Sequence, residues 1–499
     1  MTKQQSEGHT SSRPNIIVLI ADDLRAASVT PRLMPFSFEF FDTHFSQCYS
    51  PSTWTLPSHA SLFSGTDPTE HGITRTGDKL STDQAVLPRR ARSAGYTTAL
   101  FSENPFFSGH RGFGHDIDFV NDHINYKTNK SEFSIANYVD NPTSAARAML
   151  SRLLVGDSRM SDLVNSTYAV RKYLSNESES NMGSTHNTTR VLSHLEDYLA
   201  AQTGTNKPAL SFVNLLETHN PHTVIPESAR ELGIEFSTEE IDGLNEPDDD
   251  HEYLFGNQKV REPFEDWEHL YQRKLSAYQT SIHRLDGLLE DFIANIGTET
   301  LSDSLLVLTG DHGELFGEEE MVGHQTSLHP AGVQVPLLVK YPDGWTERET
   351  SVNEPVNWTG LSKTLGRLVE GEVSGAASFR EILVSASRNS DTESIVCAVD
   401  GPNWDIQALE QRYGEQIVSD LIKVRRVGLI QKNEMTVYES KWGSDQISER
   451  HYQLSDGERS LVDEQEGQPA STRLQQWLGD EGNVVSHDVS QRLKDLGYA

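Results

Sequence analysis

The chain has 499 residues, long enough to bury a substantial core in about two to four domains. With 74 acidic against 42 basic residues its formal net charge is -32, spread along the chain, which argues against nucleic-acid binding because phosphate neutralisation needs a basic patch. Two cysteines, Cys48 and Cys397, are too few for a disulfide framework and point to a reducing compartment, and no apolar run reaches membrane-spanning length.

Residues 1–13 are polar and lack an apolar signal core, so a disordered tail and a cytoplasmic protein are expected. A surface this acidic repels itself in dilute salt and is tolerated where salt screens it, which fits a salt-loving cytoplasm. The first predicted element is the apolar, β-branched run Asn15 to Ala21, the pattern of a strand buried on both faces of a parallel sheet. It ends at Asp22 and Asp23. Paired carboxylates at the C-terminal end of a central strand lie where open α/β sheets bind ligands, and hard divalent cations take such oxygen ligands. Arg25 follows the pair.

The stretch Ser50 to Gly65 places the Thr55 hydroxyl just before Pro57, which starts a helix that Gly65 ends. Free N–H groups and the positive dipole end of that helix would point toward Thr55, a position that suits an anionic ester, so Thr55 is the candidate nucleophile. His59, one turn on, can share its face. A further strand, Tyr96 to Phe101, runs toward Asn104, a possible neutral donor. Residues 121–206 are polar and mostly helical and read as an insertion that shapes the pocket. Another apolar strand, Ser211 to Leu216, runs into His219 in Thr218-His219-Asn220-Pro221-His222. The acidic segment 239–251 reads as a solvated loop, and Tyr271 to Phe292 carries apolar residues at helical spacing. Leu305 to Gly310 repeats the design of the first strand and delivers Asp311 and His312 to the same edge. His324 follows in Gly323-His324-Gln325. Either His219 or His324 can protonate a leaving oxygen near neutral pH.

Residues from about 14 to 345 carry every motif above, ending in the strand Val335 to Lys340. Beyond residue 346 come a helix over Leu361 to Leu368, strands at Ile395 to Val399, Val424 to Ile430 and Met435 to Tyr438, and the closing Arg492-Leu493-Lys494-Asp495-Leu496-Gly497-Tyr498. Strands alternating with helices argue for a parallel sheet covered by helices.

The Thr55 segment resembles the nucleophile motif of the sulfatase family, in the alkaline phosphatase superfamily. There a Cys, matured to formylglycine, or a Ser precedes any residue, Pro, a small residue and Arg, then an apolar helix ending in Thr-Gly. Thr55 takes the nucleophile position, Pro57 the Pro, Ser58 the small residue and His59 the Arg. Thr in place of Cys looks like the phosphodiesterase and phosphomutase branches. The Cys48 frame, followed by Tyr49-Ser50-Pro51, has Pro one position too far and no Arg.

This resemblance implies an α/β fold with a central, mostly parallel sheet flanked by helices, and a smaller C-terminal α+β subdomain with a four-stranded sheet on a helix. It implies one divalent metal held by Asp22, Asp23, Asp311 and His312 and contacting Thr55. A nitrogen ligand makes Mn²⁺ more plausible than in an all-oxygen Ca²⁺ site, with Mg²⁺ also open. It implies that His219 and His324, the latter where many sulfatases carry Lys, stabilise charge or act as acid, and that Arg25 holds the loop. The Lys-Trp-His cluster of typical sulfatases is absent around Asn104, and the closing segment is frequent in archaeal members.

The expected activity is hydrolysis of sulfate esters or phosphate mono- or diesters of small molecules or glycans through a covalent intermediate on Thr55. Threonine cannot expel sulfate by the elimination open to formylglycine hydrate. A transferase acting on a glycan or lipid alcohol and a non-catalytic binding protein of the same fold remain open, as does the oligomeric state.

Overall fold

The computed structural model describes residues 13–122, 126–127, 186–245 apart from 204 and 206, 267–345, 350–401, 406, 410–411 and 414–479 apart from 456. Its centre is a sheet built from β1 (Asn15–Ala21), β2 (Thr43–Tyr49), β3 (Thr97–Phe101), β4 (Phe119–Asn121), β5 (Tyr126–Lys127), β6 (Ala209–Leu215) and β7 (Ser304–Gly310). The two-residue strands β8 (Leu315–Phe316) and β9 (Val322–Gly323) form a separate hairpin, after which β10 (Gln334–Lys340), β11 (Ser351–Val352) and β12 (Val356–Asn357) return to the main sheet. Across the sheet the order is β11-β2-β10-β7-β1-β6-β3-β4-β5, with β12 also on β2. β7, β1, β6 and β3 are mutually parallel, and β10 runs against both β7 and β2.

The apolar run of β1 is continuous because both faces of the sheet are covered. Ile16, Val18 and Ile20 pack into a core with Leu56, Ala60 and Phe63 of the helix Thr55–Ser64 and with Leu361, Leu365 and Leu368 of the helix Trp358–Val369. Ile17, Leu19 and Ala21 face Val191 and Leu195 of the helix His186–Gln202 and Tyr278, Ile282, Leu285 and Leu289 of the helix Trp267–Asn295. The period of two in the strand is thus met by a helical stripe on each side.

The C-terminal part is an antiparallel sheet of β13 (Ile395–Asp400), β14 (Val424–Gln431), β15 (Glu434–Lys441), β16 (Ile447–Ser455) and β17 (Glu458–Glu466). One face packs Ile395, Cys397, Val399 and Val437 on Tyr49, Leu328 and Val333 of the larger layer. The other packs Val396, Ala398 and Val427 under Leu474 and Leu478 of the helix Thr472–Gly479. Asp400 closes the junction, accepting from Arg75 Nη2 at 2.7 Å, Arg425 Nε at 2.9 Å and Trp442 Nε1 at 3.1 Å.

Several expectations are corrected. The larger layer does not stop near residue 345: β11 and β12 pair with β2, and the helices Trp358–Val369 and Ala376–Ala386 lie in its core, so the C-terminal sheet begins only at β13. That sheet has five strands rather than four. Within the expected insertion 121–206, residues 186–202 form a core helix of the main layer, because Val191, Leu192, Leu195 and Leu199 recur at helical spacing and are buried. Residues 128–185 and the closing 492–498 lie outside the described residues. Part of the expected acidic loop is the helix Thr238–Asn245. Among the described residues no helix is long and apolar enough to cross a membrane.

Candidate active site

Three parallel strands end together. In the β1–β6 and β1–β7 registers Ala21 lies opposite both Leu215 and Gly310, so the residues that follow emerge at one edge. The Asp22 N–H still donates to the Leu215 carbonyl at 2.9 Å, which fixes Asp22 as a continuation of β1. Asp23 then turns into left-handed backbone at φ 64°, a conformation uncommon for a non-glycine residue and held here on two sides. Its N–H donates to Asp311 Oδ1 at 3.2 Å, and its carbonyl accepts from Tyr278 Oη at 2.8 Å. The Asp311-His312 pair is framed by glycines for steric reasons. A Cβ on Gly310 would stand 2.4 Å from the Leu24 carbonyl oxygen, and one on Gly313 2.0 Å from that of Ala331.

Thr55 is the first residue of its helix rather than a residue ahead of it. Trp54 is the extended N-cap and makes no side-chain cap bond, Pro57 falls inside the first turn, and Gly65 closes the helix at φ 77°. The uncapped N-terminus leaves backbone donors for an anion. Thr55 Oγ1 lies 3.5 Å from Asp22 Oδ1. Asn104 Nδ2 reaches both groups, donating to Thr55 Oγ1 at 3.2 Å and to Asp22 Oδ2 at 2.8 Å, while Asn214 Nδ2 donates to the same carboxylate oxygen at 2.9 Å. Cys48, by contrast, is buried inside β2 opposite Val335, and burial pushes its thiol far above the range in which thiolate forms.

Asp22, Asp311 and His312 each offer a donor atom within 4.8 Å of the other two, and all three are buried. His312 Nε2 stands 3.4 Å from Asp311 Oδ2 and 3.7 Å from Asp22 Oδ1. Nδ1 of His312 lies 3.0 Å from the Gly313 carbonyl, which can only accept, so the proton is on Nδ1 and the Nε2 lone pair faces the carboxylates. Asp311 Oδ2 and His312 Nε2 accept or donate no hydrogen bond despite being buried. Buried polar atoms without partners are costly. A divalent cation satisfies such atoms, and this donor set of carboxylate oxygens and one imidazole nitrogen fits one.

The electrostatics carry the same imbalance. Burial pushes Asp311 well above the usual carboxylate range, and the neighbouring Asp22 and Asp23 push it further. Burial and the adjacent Glu314 raise Asp23 likewise. Asp22 is also desolvated, but His219, His312 and the Asn214 hydrogen bond outweigh that and hold it low. Burial takes His312 down to about 3, so its imidazole is neutral.

His219 and His324 stand beside the same cluster, their ring centroids 6.1 Å apart and that of His324 4.6 Å from that of His312. His324 Nδ1 lies 2.7 Å from Glu314 Oε2 and 3.6 Å from Asp23 Oδ1. Burial opposes its charge, yet Asp23 and Glu314 together raise its pKa to about 9. His219 Nδ1 donates to the Asn220 carbonyl at 2.5 Å, and His219 shares a possible ligand group with Asp22 and Asp23. His59 reaches the cluster from the other side, its Nδ1 3.8 Å from Asp311 Oδ2. Its Nδ1 donates to the Thr55 carbonyl at 2.8 Å, its ring lies 3.9 Å from that of Phe107, and burial lowers its pKa to about 4, so it supports the helix start from the aromatic core. Arg25 pairs with Glu318 and lies over the Phe316 ring, holding the loop behind the acids.

Three residues of the site were not singled out from the sequence. Asn214 is the penultimate residue of β6, where alternation with Val213 and Leu215 could have marked its polar side chain. Glu314 belongs to the Asp-His-Gly-Glu run. Tyr278 sits in the apolar stripe of its helix, and nothing in the pattern reveals that its hydroxyl bonds the Asp23 carbonyl.

The model of the sulfatase family matches residues 14–370. An ulvan-active sulfatase of Formosa agariphila is 21% identical over 416 residues, covering 80% of this chain and 70% of that protein. The crystal structure of a phosphonate monoester hydrolase of Agrobacterium radiobacter superposes with a TM-score of 0.55 at 15% identity, over 88% of this chain and 89% of that one. A structure solved in complex with its substrate D-glucosamine-2-N,6-O-disulfate gives a TM-score of 0.53 at 14% identity, over 88% and 91%. At these identities the solved structures establish a shared fold, the expected α/β sheet with its C-terminal subdomain.

Proposed function

Since the chain belongs to the sulfatase family and is an ester hydrolase of the sulfate and phosphate class, we propose that Thr55 is its nucleophile and that the substrate is a sulfate or phosphate ester of a small molecule or glycan. The observation that carries this reading is the Thr55 hydroxyl, held by Asn104 against Asp22 at the start of an uncapped helix. Relatives that act on ulvan or bind a sulfated glucosamine favour glycan esters.

Asp22, Asp311 and His312, with Asp23 alongside, would hold one divalent ion, which when bound neutralises charge on the transferred group and lowers the pKa of a coordinated oxygen. The chain's own residues do the rest. Asn104 donates to Thr55 Oγ1, so the oxygen's own proton is directed at Asp22 Oδ1. Backbone donors of the helix start receive the non-bridging oxygens. Oγ1 passes its proton to Asp22 Oδ1 and forms a bond to sulfur or phosphorus as the bond to the ester oxygen breaks, and that oxygen takes a proton from the imidazole of His219 or His324. Water then gives a proton to that imidazole as it attacks the same sulfur or phosphorus, Thr55 leaves with the proton held at Asp22, and sulfate or phosphate is released. In-line displacement serves both elements, because a threonine ester lacks the second hydroxyl through which a formylglycine hydrate expels sulfate.

A turnover screen of aryl sulfates, phosphate monoesters, phosphate diesters and sulfated oligosaccharides, in Mn²⁺, Mg²⁺ or Ca²⁺, tests the reading. Turnover of at least one class, lost on chelation and restored by metal, is expected. Full activity in a metal-free preparation would overturn the metal assignment, and inactivity toward every class would overturn the hydrolase mechanism.

A further inference from the structure

His324 lies in the segment 317–329, whose backbone is held against its own preference. Glu319 and Gln325, the residue after His324, both take left-handed backbone, at φ 54° and 84°. Non-glycine residues keep such conformations only where surrounding contacts over-determine them. The C-terminal sheet supplies such contacts from two of its strands. Arg459 of β17, its side chain only 8% exposed, donates to Glu319 Oε1 from Nε at 2.8 Å and from Nη2 at 2.6 Å. Its guanidinium lies over the Tyr452 ring of β16, 4.2 Å from the centroid. Glu319 Oε2 in turn accepts from Ser327 Oγ at 2.8 Å, so one carboxylate joins the two ends of the chain around His324. Arg426 of β14 donates from Nη1 to the Thr326 carbonyl at 2.6 Å and is itself fixed by Glu439 at 2.6 Å.

The same sheet holds the loop before the nucleophile. The Ala398 carbonyl of β13 accepts from Ser52 Oγ at 2.8 Å, and the Ala398 N–H donates to the Pro51 carbonyl at 2.9 Å. Between the two loops the Gln325 N–H donates to the Thr53 carbonyl at 3.1 Å. Thr55 and His324 thus sit on separate loops of the larger layer, both tied to one antiparallel sheet. No residue of the site described above lies on that sheet.

We propose that the C-terminal sheet sets the position of His324 relative to Thr55, with Arg459 as a positioning residue that acts through Glu319. Glu314 orients the imidazole ring from its own side, whereas the Arg459 clamp fixes the backbone that carries the ring. The inference rests on the hydrolase reading and commits it to His324 as the donor to the leaving oxygen. Losing the clamp removes no group that touches the ester. It lets the left-handed residues relax and carries the imidazole off the leaving oxygen, and a displacement of about 1 Å is enough to cost about 100-fold in rate. The loss should follow the need for a proton, being large for a basic sugar or alkyl oxygen and small for a nitrophenolate that departs unprotonated.

Steady-state kinetics and amide hydrogen exchange of the full chain, loaded with metal, test this. Arg459→Gln should lower kcat for an alkyl or glycan ester about 10- to 100-fold with KM within about 2-fold, and for the matching nitrophenyl ester by less than about 3-fold. Glu319→Ala should do the same, and the double variant should lose no more than either alone, because both break one contact. Exchange in the peptide spanning 317–329 should quicken in both variants while peptides of β1 and β7 keep their protection, with melting curves confirming that the variants fold. Lys441→Gln, which breaks the Lys441–Asp420 pair of the same sheet, should change neither kinetics nor exchange. Equal losses for both leaving groups, additive losses in the double variant, or unchanged exchange at 317–329 would overturn the positioning role. An active wild type matched by Arg459→Gln on both esters would strike that role and leave the hydrolase reading standing. A wild type inactive on every ester, with exchange quickened as expected, would fell the hydrolase reading while the dependence of the His324 segment on Arg459 stands.

Discussion

Two buried carboxylate sites in this chain, one of a single aspartate and one of three, are built on opposite terms. At the junction with the C-terminal sheet, Asp400 is surrounded by donors from Arg75, Arg425 and Trp442. At the end of β1, Asp22, Asp23 and Asp311 face one another and neutral or carboxylate-bound imidazoles, and atoms of Asp23, Asp311 and His312 go without hydrogen bonds. The first arrangement is complete in the protein alone and ties two layers together. The second leaves buried polar atoms without partners in the protein alone, which is how a group that could hold a metal ion differs from a structural ion pair.

Substituting one member of each set separates them most sharply. Asp311→Asn should reduce turnover to background, yet raise the melting temperature of metal-free protein, because it removes one of several mutually repelling buried charges. A fall in that temperature would mean the carboxylates are already balanced. Asp400→Ala should do the opposite, costing about 3–5 kcal/mol by taking the carboxylate from the Arg425 and Arg75 guanidinium groups in the junction while the folded fraction keeps its KM. Denaturant titration measures it, and a loss below about 1 kcal/mol would show that the pair is merely superficial. Asn104→Ala should lower kcat about 10²-fold with little change in stability, the cost of removing one positioned donor; an effect on KM alone would place Asn104 in substrate binding instead.

The smallest effect concerns Glu217, just before the Thr218-His219 turn. Burial raises its pKa to about 7, with the Arg284 guanidinium 3.1 Å away offsetting part of the cost. Its folded value lies above the usual carboxyl range, so the native state keeps a proton that the unfolded state releases. The associated stability is fully present below about pH 4.5 and is lost as pH rises through about 7. Glu217→Gln should therefore flatten the decline in melting temperature between pH 5 and 8; an unchanged slope would show that Glu217 ionises normally.

Much of this was legible because the relevant strands are buried on both faces. A continuous apolar run followed at once by Asp or His marks the ligand edge without reference to neighbours, and that rule singled out Asp22, Asp23, Asp311 and His312, whereas His219 lies beyond Leu216, Glu217 and Thr218 after its strand. It failed where the contact is long-range or the element short. β11 and β12 are two residues each, too brief for any periodicity, and their pairing with β2 moved the domain boundary. Tyr278 obeys its helical stripe as a core residue, and only the folded chain brings its hydroxyl to Asp23. His59 shares a helix face with Thr55 in sequence spacing, but the aromatic rings packed around it turn that face into core.

The central claim is that the oxygen of Thr55 carries the transferred group. Rapid quenching of the metal-loaded enzyme with a slowly released aryl ester, followed by peptide mass mapping, tests it most directly. The account predicts a sulfated or phosphorylated peptide in which fragmentation localises the group to Thr55, absent in Thr55→Ala, which still binds metal, and unaffected in Cys48→Ser. A modified Cys48, or undiminished turnover by Thr55→Ala, would contradict it.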